Sequence, residues 1–524
     1  MIQAMLLAAA LSAAAYPVEE KSVAEIKADL ASGRTTAEAV TRAYLDRIAT
    51  MDAAGPALHS VIALNPHALA DARAADKARA SGKPLGPLAG VPVLIKDNIE
   101  SADDTATTAG SLALKDNITR RDAPMVRRLT DAGAIILGKT NLSEWANIRS
   151  NHSISGWSGV GGLVKNPYAL DRNACGSSSG TGSAIAASFA AVGVGTETDG
   201  SVTCPSSLAA LVGLKPTVGL VSRTYVVPIS HTQDTPGPMA RSVADAAVLL
   251  TAMAGSDPKD VATADADKHK TDYLAALKGA TLKGKRLGLV RYAATLNPAE
   301  DALFEAVVKQ MAADGAEIVE IADYHPDKEM GQAEGVVLMT EFKADLNAYL
   351  ASTPPAVKTR TLKDLIAFNI ATPRELALFG QESFLEAEAT KGLDDPAYVK
   401  AKATAKRLAA DEGIDALVAK YRLDALIAPS YGPAWRTDVV SGDHDSGAIS
   451  SLAAVSGYPH LTVPMGQIRG LPVGLSFVGP AWSEAKLLAL GAAFEALTHA
   501  RKPPTYAASV EVGSDVAPLL APLK

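Results

Sequence analysis

The stretch GTETDGSVTCP, residues 195–205, sets Ser201 behind two turn-forming residues, Asp199 and Gly200, and just ahead of Pro205. A serine hydroxyl is a poor nucleophile until a base takes its proton, and that base is most often an imidazole. The nearest histidines on either side are His152 and His231, each tens of residues away. Ser201 therefore reads as a candidate nucleophile whose proton acceptor must come from elsewhere in the chain, and an amine can fill that role as well as a histidine.

Three other stretches match known catalytic patterns and fail on context. GAIILGKT, residues 133–140, fits the phosphate-loop pattern letter for letter. Its middle residues are Ala, Ile, Ile and Leu, which suit a buried strand and not a loop that turns its amides toward phosphate. GSSSG, residues 176–180, fits the nucleophile-elbow pattern around Ser178. The preceding DRNAC is no strand, and neither His460 nor His499 stands out as the later histidine such a site needs. SEAK, residues 483–486, fits S-x-x-K but opens a C-terminal amphipathic helix and reads as its surface cap.

The elements that must position these residues follow from periodicity. SVAEIKADLASGRTTAEAVTRAYLDRIATMD, residues 22–52, predicts two amphipathic helices broken at Ser32-Gly33, the second opening with a capping box of Thr35 and Glu38. GVPVLIKDN and GAIILGKTN, flanking the helix-like APMVRRLTDA, give the rhythm strand, helix, strand. Residues 155–181 are rich in Gly, Ser and Asn and predict loops, and 182–194 predict a small-residue helix. LDALIAPS, PHLTVPMG and LPVGLSFVG add late strands, followed by the helix SEAKLLALGAAFEALT. Residues 256–420 read as mostly helical and charged, with GKRLGLVRY as a further strand. Strands at both ends of the chain predict one mixed sheet, closed by the two halves and covered by helices on both faces: an α/β fold in one large domain.

Composition agrees with a folded enzyme-sized chain. The 524 residues are 48% hydrophobic and 20% charged, with a net charge of −7 and a pI of about 5.8. That balance gives no basis for binding nucleic acid or anionic lipid. Cys175 and Cys204 are too few for a disulfide framework and lack zinc-ligand spacing, so they read as small buried side chains ahead of a bridge or a reactive thiol. MIQAMLLAAALSAAA, residues 1–15, resembles a signal peptide with a small-residue cleavage site, although it lacks a basic residue before the apolar run. It predicts export to a periplasmic or extracellular space, or a retained helix. No other stretch reaches the length of a membrane span.

Taken together, VPVLIKDN, CGSSSGTGSAIAA and VGTETDGSVTCPSSLAALVGLKPTVGLVSR resemble the amidase signature family. Its hallmarks are a Gly-Ser-rich segment, a G-T-[DE]-x-G-G-S turn and a G-L-K-P-T tail. The resemblance runs from about residue 22 to about 500 and implies one domain over 22–505. A catalytic core covers about 85–250 and a more variable helical region about 256–420. SNHSISGWSG, GTETDGS and PISHTQDTPGPMARSVADAA look most like the bacterial peptide amidases, which remove the C-terminal carboxamide of peptide amides.

Carried over residue by residue, the resemblance puts the family's triad on Lys96, Ser177 and Ser201, with a cis peptide at Gly176-Ser177. It puts an oxyanion hole on the backbone N–H groups of Thr198, Asp199 and Gly200, and it implies no metal and no cofactor. The chemistry is coherent. A lysine must lose about three pKa units to act as a base near neutrality, and burial can supply that shift. VPVLI offers an apolar strand to desolvate Lys96, and strand alternation turns Asp97 to the other face.

The sequence departs from the family in two places. Asp199 stands where a second glycine is usual, and Thr203 and Cys204 stand where many members carry an arginine. Loss of that cation predicts a neutral or apolar acyl group over a free carboxylate and argues against a tRNA-dependent amidotransferase subunit. Ser178, His152 and Trp157 are further candidates for lining a substrate pocket. The expected substrate is a small-molecule or peptide amide, with a broad amidase, an aryl acylamidase or an inactive binding scaffold as alternatives.

Overall fold

The structure is a computed structural model that describes residues 16–522 except 84, 294–296, 446–448 and 515. The candidate signal peptide therefore lies outside the described residues. One mixed sheet of 11 strands runs through the molecule. Its strands are β1 (Val61–Leu64), β2 (Pro92–Lys96), β3 (Ile135–Thr140), β4 (Val192–Glu197), β5 (Val212–Lys215), β6 (Thr235–Ala240), β7 (Arg286–Val290), β8 (Glu317–Ile321), β9 (Ala425–Pro429), β10 (His460–Ile468) and β11 (Leu471–Val478). Their spatial order is β1-β3-β2-β4-β6-β5-β10-β11-β9-β7-β8. β2 lies parallel to both β3 and β4, and β9 parallel to β7, whereas β10 pairs antiparallel with β5 and β11. The early and late halves of the chain join at the β5–β10 edge, where Leu461 pairs with Leu214.

β2, β3 and β4 are buried along their whole length. Continuous apolar runs, not alternating ones, are what strands covered on both faces require. The phosphate-loop match GAIILGKT is thus a buried strand, with Gly138 pressed against the backbone of Ala63 and Leu64.

Several local expectations change. The helix Ala37–Met51 is capped by Thr36, whose hydroxyl accepts from Ala39 N at 3.1 Å. No Thr35–Glu38 capping box forms, because the Asp76 carboxylate takes the N–H groups of Ala37 and Glu38 at 2.8 and 3.0 Å. A carboxylate from a distant helix satisfies those orphan donors and faces the positive end of the helix dipole. The capping box belongs instead to Ser22 and Glu25, at the start of the helix Val23–Ala31.

The helix expected over 182–194 spans Ser179–Ala186, and the rest of that stretch leads into β4. Small residues fit both states, and sheet pairing decides the outcome. Ser483 is no side-chain cap: its hydroxyl donates to the Pro480 carbonyl at 2.6 Å. The two cysteines are bonded to each other, Cys175 to Cys204, with their Cα atoms 6.0 Å apart. Burial and bonding coexist here, because the loop before Ser177 and the helix after Ser201 are packed side by side.

Candidate active site

The site is built where β2 and β4 end together. β4 carries a glutamate into a fully buried strand, and Glu197 uses it to organise the turn that follows. Its Oε2 accepts from Val202 N at 2.7 Å and from Thr203 N at 2.9 Å, capping the helix Thr203–Leu208. Gly200 has φ +77°, and a β carbon there would collide with the Tyr431 hydroxyl. Only glycine can both turn and approach this closely. The Thr198 hydroxyl donates to Asp234 at 2.6 Å, fixing the other side of the turn.

Among the described residues, no carbonyl or side chain accepts from the backbone N–H of Thr198, Asp199 or Gly200. Three free donors at one turn, beside a serine, form a ready anion receptor. Ser201 is nearly buried, at 8% exposure, and its carbonyl accepts from Ser178 N at 3.1 Å.

The serine run divides its work. Ser177, which follows a cis peptide after Gly176, accepts from Lys96 Nζ at 2.8 Å. Ser178 is occupied by the backbone, donating to Thr196 O at 3.1 Å and accepting from Thr196 N at 3.2 Å. Ser179 donates to Cys175 O at 2.5 Å. Ser178 is therefore an anchor between the helix and β4, which removes the basis for the elbow reading. His460 is equally distant from that role: it sits on β10, bonded to Ser476 at 2.6 Å, and burial pushes its pKa down to about 3.

Lys96 is wholly buried at the end of β2. Its amine also reaches Thr196 Oγ1 at 2.9 Å and Thr196 O at 3.1 Å. Loss of solvent pushes its pKa down to about 7, against the pull of the more distant Asp234 and Glu197 carboxylates. An amine that exchanges its proton near neutrality, hydrogen-bonded to a serine, can act as a base through that serine.

Sequence reasoning overlooked four partners. Thr196 holds Lys96 and Ser178 together, Glu197 and Asp234 shape the turn, and Ser451 donates to Asp199 Oδ2 at 2.6 Å. The glutamate ending the apolar VGVGTE run was the one legible signal, since a charge in a buried strand needs a reason. Asp199 thus ties the turn to the helix Ser450–Ser456, while its other oxygen is buried without a hydrogen-bond partner among the described residues.

A cavity of about 360 Å³ opens beside this turn, lined among others by Gly176, Asp199, Gly200, Tyr431, Asp443 and Asp445. Neither Trp157 nor His152 is part of that lining. Trp157 packs edge-on to Phe379 with ring centres 5.3 Å apart, and His152 is exposed on its loop. Cys204, where many relatives would place an arginine, is taken up by its bond to Cys175, and the neighbouring Thr203 hydroxyl donates to Glu197 at 3.2 Å.

A sequence model of the family described as Amidase matches residues 39–488. The chain belongs to the amidase signature family. It is 39% identical over 507 residues to a probable amidase of Arabidopsis thaliana, covering 94% of this chain and 93% of that one. Its fold matches the peptide amidase of Stenotrophomonas maltophilia with a TM-score of 0.89 at 50% identity, covering 94% of this chain and 99% of that one. The peptide amidase PAM in complex with the competitive inhibitor chymostatin gives a TM-score of 0.90 at 51% identity, covering 94% and 100%. This member of the family is an amidohydrolase. No helix of the described residues is long and apolar enough to cross a membrane.

Proposed function

We propose that this amidase hydrolyses the C-terminal carboxamide of peptides to a carboxylate and ammonia, through an acyl-enzyme on Ser201. The observation that carries the reading is the fully buried Lys96 amine, 2.8 Å from Ser177 Oγ, with its pKa pushed down to about 7. Neutral Lys96 takes the Ser177 proton as Ser177 takes that of Ser201, and Ser201 Oγ bonds to the amide carbon. The developing oxyanion is met by the N–H groups of Thr198, Asp199 and Gly200, donors worth about 3–4 kcal/mol each in such sites. The lysine's extra proton then returns through Ser177 to the leaving nitrogen, the C–N bond breaks, and ammonia departs. Water repeats the sequence on the ester and frees the acid.

Similarity to two peptide amidase structures at 50% and 51% identity supports the substrate class. So does the cavity beside the turn, which carries Asp199, Asp443 and Asp445 and no lysine or arginine among its described lining residues. A substrate bearing a free carboxylate is repelled there, whereas a neutral amide is not. The Cys175–Cys204 bond agrees with the oxidising compartment that export would provide.

Incubation with an N-acylated dipeptide amide, followed by ammonia assay and by fluorophosphonate labelling, tests the reading. Ammonia release and a single label on Ser201 are expected. An unlabelled, inactive protein would leave only a binding scaffold. Faster release from anilides than from peptide amides would point to an aryl acylamidase.

A further inference from the structure

A second and larger cavity, about 690 Å³, lies away from the turn. It is bounded by the helices Lys328–Ala351 and Pro396–Lys406, by the C-terminal end of the helix Ser450–Ser456, and by the segment around Trp482. It shares no lining residue with the cavity beside Ser201. Its volume falls in the range of sites for small organic ligands. The walls are mainly apolar and aromatic, with Val337, Tyr458 and Trp482 prominent, and Trp482 is held flat by stacking on His269 at 4.2 Å.

The ionisable side chains lining this cavity, other than Tyr458, are all basic. His231, Lys402 and Lys406 contribute to the lining, and no aspartate or glutamate does so among the described residues. His231 is engaged elsewhere, between Asp345 at 2.9 Å and Glu341 at 3.1 Å. Lys402 and Lys406 stand one turn apart on the same helix, on one face of it. Lys402 donates to the Tyr398 hydroxyl at 3.2 Å and lies 3.6 Å from Glu341, with its side chain 43% exposed. Lys406 has no carboxylate within 4.0 Å among the described residues. It donates to Ser456 O at 2.6 Å and lies 4.7 Å from the centre of the Tyr458 ring.

We propose that this cavity is a second ligand site, for a small aromatic carboxylate whose ring lies against Tyr458 and Trp482 and whose carboxylate sits between Lys402 and Lys406. Two lysines on one helix face beside an aromatic wall, Glu341 lying near Lys402 and no carboxylate within 4.0 Å of Lys406 among the described residues, match an amphipathic anion in charge and shape. The helix Ser450–Ser456 spans the distance between the two cavities. Its C-terminal residues line this one, and Ser450 and Ser451 at its start line the other.

The test is calorimetric titration of the full-length Ser201→Ala protein with 4-phenylbutyrate, repeated with the neutral isostere 4-phenylbutanol. One site per chain is expected, with the alcohol at least tenfold weaker. Lys406→Met should weaken 4-phenylbutyrate at least tenfold. Ala403→Trp should abolish binding, because Ala403 is an exposed residue of the lining and an indole there fills the space without entering the core. A Trp482→Phe variant locates the ligand independently, by removing the fluorescence change that binding produces. Equal affinity for acid and alcohol, or affinity unchanged in Lys406→Met and Ala403→Trp, would overturn the assignment. None of these readouts needs amide hydrolysis, so failure here and failure of the proposed activity are separable.

Discussion

Two parallel neighbouring strands end in the same way and do different things. β2, PVLIK, ends in Lys96, and β3, IILGKT, carries Lys139 one position before its end. Both lysines are 0% exposed and both have pKa values lowered by burial. The difference is the location of the negative charge. Asp97 follows Lys96 in the chain, yet its carboxylate acts on Lys139, where it is the largest pull against desolvation. Lys139 also donates to the Ile99 carbonyl at 2.8 Å, so it is a buried cation with a counter-charge and a fixed acceptor. Lys96 is bonded to two hydroxyls and a carbonyl, one of the hydroxyls that of Ser177, and loss of water brings its pKa down to about 7 against the pull of the more distant Asp234 and Glu197. One lysine is packed against a carbonyl with a neighbouring carboxylate acting on it, and the other is bonded to a serine hydroxyl at the turn.

The sharpest way to break this comparison is to remove each amine in turn. Lys96→Met should lower ammonia release from a peptide amide by at least about 10⁴-fold, as expected when the base of a triad-like unit is lost. Lys139→Met should stay within about tenfold of the parent per folded molecule, because nothing in the proposed chemistry passes through it. Steady-state ammonia assays on both variants decide the matter. Equal losses would mean that both lysines serve the fold, and the proposed role of Lys96 would fall.

Stability should move in the opposite sense. The Lys96 pKa of about 7 against an ordinary value of 10.5 means the unfolded chain binds the extra proton between pH 7 and 10.5. Folding stability from this group therefore rises with pH across that window. Below pH 7 the burial costs about 5 kcal/mol. Lys96→Met removes that cost while stranding Thr196 and Ser177, at about 1 kcal/mol per lost bond, so a net gain of about 2 kcal/mol is expected. Lys139→Met loses the charge that acts on buried Asp97 and the bonds to the Ile99 carbonyl and the Thr107 hydroxyl, and should stabilise less than Lys96→Met does. Denaturant unfolding at pH 7 reads both. An active site that stabilises the protein when it is dismantled is the signature of a group held for chemistry.

The strand residues around both lysines were legible, because apolar runs of five or six residues bounded by turn formers admit few other readings. So were the candidate residues of the proposed chemistry, since the family resemblance of VPVLIKDN, GSSSG and GTETDGS points to Lys96, Ser177 and Ser201, and the structure brings the first two within 2.8 Å. What the sequence did not carry was distance. Asp234 and Ser451 come from segments far from the turn in the chain, and only the fold brings them to it. The disulfide ranks second in the sequence for the same reason: Cys175 and Cys204 are 29 residues apart, and their meeting depends on how the serine loop packs on the helix after Ser201. The GAIILGKT stretch shows the converse, a motif complete in letters whose burial excludes the chemistry.

The pH profile separates the strands more gently. A base that must be neutral gives kcat/KM that rises about tenfold per pH unit below pH 7 and levels off above it, reporting the Lys96 amine in the free enzyme. In Lys139→Met the midpoint of that rise should be unchanged. A flat profile from pH 5 to 9 in the parent would remove the case for a lysine base.

The smallest effect tests whether proximity in the chain or proximity in the field sets the Lys96 amine. Asp234 belongs to a distant segment, but it is the leading charge that holds the Lys96 proton on, and its own pKa, raised by burial to about 6, leaves it ionised at neutrality. Neutralising it in Asp234→Asn should let the Lys96 amine lose its proton more readily and move the rise in kcat/KM to lower pH by about half a unit. Asp97 is adjacent in sequence, yet it faces Lys139 and does not appear among the charges acting on Lys96. Asp97→Asn should therefore shift the same midpoint by less than about 0.3 unit, within the reach of strand alternation to turn consecutive side chains apart. If Asp97→Asn moved the midpoint more than Asp234→Asn did, the two lysines would share one electrostatic site, and the division of labour between β2 and β3 would be wrong.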